Sequence, residues 1–172
     1  MQREKRVDRA RPAGNSTSED AIAPALVLEA LLKSTLLLRI ASVLTLIHCV
    51  AHTIRGVLSG PTHGAEEIAV IEAMKSHAFN FGGFLRSYWD FHLGYGLFLT
   101  VILLIQGLLF WYLAGLAKTN LLLVRPMLTL FSINYLAMAI VAWKYFSLGP
   151  AIIELLIAAC FATAFATAAA AK

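Results

Sequence analysis

Phe91–Ala117 reads FHLGYGLFLTVILLIQGLLFWYLAGLA and contains no Asp, Glu, Lys or Arg. About 20 predominantly apolar residues suffice for a helix to cross the hydrocarbon of a bilayer, so this stretch spans. Tyr88 and Trp89 stand at one end, and Trp111 and Tyr112 near the other, where interfacial aromatic side chains settle. Asp90 is placed to act as the N-cap of this helix.

Three more stretches follow the same logic. Leu36–Leu58 is apolar between Arg39 and Arg55, whose long side chains can snorkel to the headgroups, and Ser59, Gly60 and Pro61 stop it. Its helix is expected to begin near Pro24, with Glu29 and Lys33 paired one turn apart. A third span runs from about Met127 to Phe146, introduced by Pro126, and a fourth from Pro150 to Ala170. The expected fold is therefore all-α, a four-helix transmembrane bundle with spans at about 36–58, 91–117, 127–146 and 150–170. Between the first two spans, Ala65–Phe79 places Ile68, Ile71 and Met74 near one face, as in a short amphipathic helix that Gly82 and Gly83 then break. Residues 1–23 read as a disordered basic tail, and 24–172 as the membrane domain.

Composition agrees. Of 172 residues, 59% are hydrophobic and 14% charged, and the mean hydropathy is +0.75. The net charge of +4 does not mark a nucleic-acid binder, because five of the fourteen basic residues crowd into the first eleven positions and no basic stripe follows. Charge asymmetry instead bears on orientation. With the N-terminus inside, Arg3, Lys5, Arg6, Arg9, Arg11, Lys33, Arg39, Lys118, Arg125 and Lys172 lie inside, against Arg55, Lys75, Arg86 and Lys144 outside. That balance favours cytoplasmic termini in a multi-pass membrane protein. Cys49 and Cys160 each lie in an apolar run and form no CxxC motif.

Met74–Leu97, MKSHAFNFGGFLRSYWDFHLGYGL, resembles the central signature of an uncharacterised family of small bacterial membrane proteins with four predicted spans. The matching positions are Gly83, Arg86, Ser87, Trp89, Asp90, Phe91, Gly94 and Gly96, and the likeness extends over roughly 40–165, through Arg125-Pro126 and Pro150. The resemblance implies the four-span architecture and a bacterial cytoplasmic membrane, and it carries no activity with it.

Ionisable side chains inside a span are costly, so each needs a reason. His48 and His52 stand four apart on one helical face, and Glu154 lies one turn into the fourth span. With Arg55, Asp90 and His92 they form a candidate polar cluster, His48, His52, Arg55, Asp90, His92 and Glu154, toward the outer side. Such a cluster is read either as internal hydrogen bonding or as a ligand, quinone-like or proton-linked site. A metal site is disfavoured, because HCVAH at 48–52 lacks the general base of HExxH. Two haems are excluded because the third and fourth spans contain no His, and His92, at a helix end, is the one cross-bundle partner for a single haem. Gln106 and Asn134, near mid-membrane, are expected to hydrogen-bond between helices, and Gly94, Gly96 and Gly107 to permit close packing. No catalytic residue is assigned and no cofactor or metal is expected. The expected partners are the lipid bilayer and either a second copy, as a homo-oligomer, or a membrane partner subunit.

Overall fold

The computed structural model describes residues 16–170. Helix α1 (Ser16–His52) continues into a π-helical turn, Thr53–Leu58, and α2 (Ala65–Ser76) follows a short loop. Next come a hairpin of β1 (Ala78–Phe81) and β2 (Phe84–Ser87), then α3 (Tyr88–Ala117), α4 (Leu121–Tyr145) and α5 (Leu148–Ala170). Four of these helices are long and apolar enough to cross a membrane: Val27–Leu58, Tyr88–Ala117, Leu121–Tyr145 and Leu148–Ala169. The fold is the expected all-α bundle, and it is the architecture of an integral membrane protein.

Several boundaries differ from expectation. The tail expected over residues 1–23 lies outside the described residues up to 15, but α1 reaches back to Ser16, so Pro24 lies within the helix rather than at its start. The expected Glu29–Lys33 pair is present at 2.6 Å. Helix α4 begins five residues before Pro126, because the Asn120 side chain accepts from the Leu123 amide and caps the first turn. Pro126 therefore sits inside α4, where it offers no N–H to the Leu122 carbonyl. Helix α5 starts at Leu148, which puts Pro150 in its first turn, where a missing N–H leaves no bond unmade.

The segment between the first two spans is the larger correction. The short helix ends at Ser76 instead of running to Phe79, and none of its residues is buried. The chain then folds back as an antiparallel hairpin with Ala78 opposite Ser87 and Phe81 opposite Phe84. Gly82 and Gly83 form its two-residue loop with φ of +61° and +89°. Two consecutive positive φ values suit the right-handed twist of a hairpin and favour glycine at both positions. The Asn80 side chain accepts from the Gly83 amide at 3.0 Å and holds the turn.

Within the bundle α1 packs between α3 and α5, and α4 lies along α5, while α3 and α4 meet much less. The centre is filled by aromatic rings from three helices. Phe110 stands 4.8 Å from Phe131 and 4.7 Å from Phe161, both edge-on, and Tyr135 lies 5.7 Å away. Outward positions such as Ile105, Leu108, Ile133, Ile140 and Leu155 are exposed. That pattern suits lipid, which solvates apolar side chains and leaves van der Waals packing to hold the helices together.

Candidate functional site

The structure sorts the six candidate residues into separate places. His48 on α1 and Glu154 on α5 meet inside the bundle, with Nδ1 to Oε1 at 2.9 Å. Glu154 is 1% exposed and His48 8%. The approach is close but off-line: among the described residues neither His48 Nδ1 nor Glu154 Oε2 has an aligned hydrogen-bond partner. The two side chains are thus in close contact without an aligned hydrogen bond, and one carboxyl oxygen of Glu154 is left without a partner among the described residues.

Just deeper lies a hydrogen-bonded chain. The Tyr135 hydroxyl donates to Gln106 Oε1 at 2.6 Å and stands 3.4 Å from Thr45 Oγ1, which donates to the Ala41 carbonyl. Gln106 therefore joins helices as expected. Asn134 does not. It is exposed, and among the described residues its amide reaches only Met138 Sδ, at 3.5 Å, on its own helix.

His52 faces α3 rather than the carboxylate. Its Nε2 is 3.0 Å from the Gly96 carbonyl, an oxygen that can only accept, so Nε2 carries the hydrogen. Cys49 Sγ donates to the Thr100 carbonyl, and Thr53 Oγ1 lies 3.0 Å from Thr100 Oγ1. His52 is thus one member of a polar seam between α1 and α3. Gly56 leaves room for its ring: a Cβ there would lie 3.2 Å from His52 Nδ1.

Arg55 and His92 are exposed and line an open cleft of about 660 Å³ with His63, Glu66 and Glu67, between the π turn, the loop, α2 and the start of α3. His92 leans on Trp89, with ring centroids 5.2 Å apart. Glu67 accepts from the backbone amides of His63 and Thr62 at 2.7 and 2.6 Å. The His63 amide foremost, then the Thr62 amide and the His63 ring, hold this carboxyl below the usual carboxylate range. A lowered value means the clamp is intact above that range and lost as pH falls through it. Acidification is accordingly expected to deprotect the Thr62 and His63 amides in hydrogen exchange, after correction for the intrinsic rate, and Glu67→Ala to do so at neutral pH. Equal protection in the variant would remove the clamp from the account.

Asp90 is not the N-cap. Ser87 holds that position and Asp90 closes a capping box from the third helical residue. Its carboxylate accepts from the Ser87 amide at 2.7 Å, and Ser87 Oγ accepts from the Asp90 amide at 3.2 Å. Arg86 donates to the Leu85 carbonyl and lies over the Phe84 ring, with no ion pair to Asp90 among the described residues.

A second cleft, of about 310 Å³, opens between the hairpin and the first turns of α3. Phe81, Phe84, Phe91, Tyr95 and Phe98 line it, with Arg86 and Asp90 as its polar members. Gly94 also lines it, and a Cβ there would meet nothing within 4 Å. Gly94 thus leaves the cleft open instead of admitting a helix, whereas Gly96 closely faces Val57 of the π-helical turn and Gly107 closely faces Leu46 of α1. The aromatic walls were absent from the candidate residues. The signal was Phe-Gly-Gly-Phe at 81–84, a two-glycine loop flanked by strand-forming residues.

Among the described residues no group of three His, Cys, Asp or Glu side chains is placed to hold a metal ion. Comparison with protein families, with curated proteins and with solved structures found no match to this chain.

Proposed function

We propose that this integral membrane protein is a binding unit rather than a catalyst, and that its ligand is a small amphipathic molecule with an apolar tail and an anionic group. The cleft beneath the hairpin carries this reading. Its volume of about 310 Å³ and its five aromatic side chains suit an apolar tail, and Arg86 supplies one cation beside it. A non-enzymatic role is supported by how the candidate residues are engaged: Glu154 and His48 are sealed in the bundle, and Asp90 is committed to capping. The Lys and Arg balance, ten against four, supports cytoplasmic termini, and the resemblance supports a bacterial cytoplasmic membrane. The signature around Arg86–Phe91 supports membership of the small four-span family it resembles.

The test uses the full chain purified from nanodiscs containing phosphatidylglycerol, with retained lipid counted by native mass spectrometry. Gly94→Trp should fill the cleft and lower the tightly held lipid by about tenfold in affinity, the equivalent of ~1.4 kcal/mol. Unchanged retention would overturn the assignment. A second reading, a membrane redox or lipid-modifying enzyme, draws on the open cleft that gathers Arg55, His63, His92 and Glu66. A Soret band or stoichiometric zinc in the purified protein would support it.

A further inference from the structure

Asn134 sits near the midpoint of α4, facing outward at the depth where the bilayer is most apolar. A side-chain amide has two N–H donors and a carbonyl acceptor, and here one weak contact to Met138 Sδ is all it makes among the described residues. Lipid tails offer it nothing. The neighbouring Tyr135, by contrast, is fully buried and bonded to α3. An amide bonded to no other helix among the described residues, in the middle of a span, gains from a hydrogen-bonding partner outside the chain.

The residues around it form a seam. Leu123, Met127, Leu130, Asn134, Ala137, Val141 and Lys144 recur at alternating steps of four and three, and every one is exposed. That spacing is the contact stripe of two left-handed coiled helices, with an amide at one core position and a small residue one turn on. Helix α4 is also the least covered of the four spans.

We propose that this stripe is the contact between two copies of the chain, paired through Asn134 about a two-fold axis along the membrane normal. The amide identifies the occupant. Copies inserted in the same orientation place their α4 helices parallel and their Asn134 residues at equal depth, and an amide is complementary to itself: each carbonyl accepts from the other's N–H. Such a pairing is isologous, so no second species is required. Lys144 ends the stripe near the end of the helix, with its ammonium over the Tyr145 ring at 5.2 Å, where two like charges can turn toward the headgroups. The inference is independent of the cleft and its ligand.

Single cysteines test the face directly, in full-length protein whose Cys49 and Cys160 are replaced by alanine, reconstituted at low density in phosphatidylcholine–phosphatidylglycerol bilayers. With a short bismaleimide, Leu130→Cys, Ala137→Cys and Val141→Cys should crosslink, and Ile133→Cys, Leu136→Cys and Ile140→Cys, on the other exposed flank, should not. In the cysteine-containing protein, counted by single-molecule photobleaching, Asn134→Leu should weaken dimerisation by about tenfold while leaving the melting temperature of the monomer unchanged, and Asn134→Gln should retain the dimer. Single photobleaching steps at all densities would overturn the proposal. So would crosslinking that favours the other flank, or an Asn134→Leu variant that dimerises as well as the parent.

Discussion

His48→Leu is expected to destabilise the bundle by about 3–5 kcal/mol, because it strands the buried Glu154 carboxyl without the imidazole in contact with it. Glu154 is 1% exposed, His48 Nδ1 is 2.9 Å from its Oε1, and its Oε2 already has no partner among the described residues. The reverse change should be milder. Glu154→Leu leaves an imidazole, which is polar but need not carry charge, so about half that cost is expected. The double variant, His48→Leu with Glu154→Leu, removes both polar groups together and should recover most of the loss, since a well-packed apolar pair often replaces a buried ion pair without penalty. Unfolding in mixed dodecyl sulfate micelles measures all three. The account fails if the two single variants cost the same and their effects simply add.

The second large effect is expected where Leu46 of α1 sits over Gly107 of α3. A Cβ on Gly107 would lie 2.6 Å from Leu46 Cδ2 and 2.7 Å from its Cγ, and Ser42 Oγ donates to the Gly107 carbonyl at 2.7 Å. Gly107→Leu must push the helices apart or eject Leu46, and either response stretches the Ser42 bond. Overpacking of this kind costs about 1–3 kcal/mol. The polar seam farther along, where His52 meets Gly96 and Thr53 meets Thr100, should loosen with it. Gly115 supplies the control, since a Cβ there would meet nothing within 4 Å. Gly115→Leu should therefore leave the melting temperature in detergent close to that of the parent protein, and equal losses at the two sites would show that close approach is not what glycine serves at 107.

The hairpin shows how a local signal can be present and still be overshadowed. Phe-Gly-Gly-Phe specifies a two-residue turn with both φ values positive, as found at Gly82 and Gly83. A helical spacing of Ile68, Ile71 and Met74 precedes it, however, and strands of four residues carry too few side chains to show alternation. Asp90 illustrates the same ambiguity at finer scale. Serine and aspartate three residues apart both suit a helix start, and the backbone conformation of Ser87, φ −111° and ψ 166°, decides which is the cap.

The four spans were determined by the sequence itself, because crossing a bilayer requires only an uninterrupted apolar run of sufficient length, and that property is local. The Glu29–Lys33 pair was equally legible, since a single helical turn brings its members together. Which polar groups meet across the bundle was decided by tertiary structure alone. His48 and His52 share a helix face one turn apart, yet one reaches Glu154 on α5 and the other the backbone of α3. Tyr135 and Asn134 are adjacent, yet a rotation of 100° about α4 buries the first and turns the second outward. Helical periodicity fixes the angle between two side chains on one helix. Only the packing of α1 against α3 and α5 fixes what stands opposite each of them.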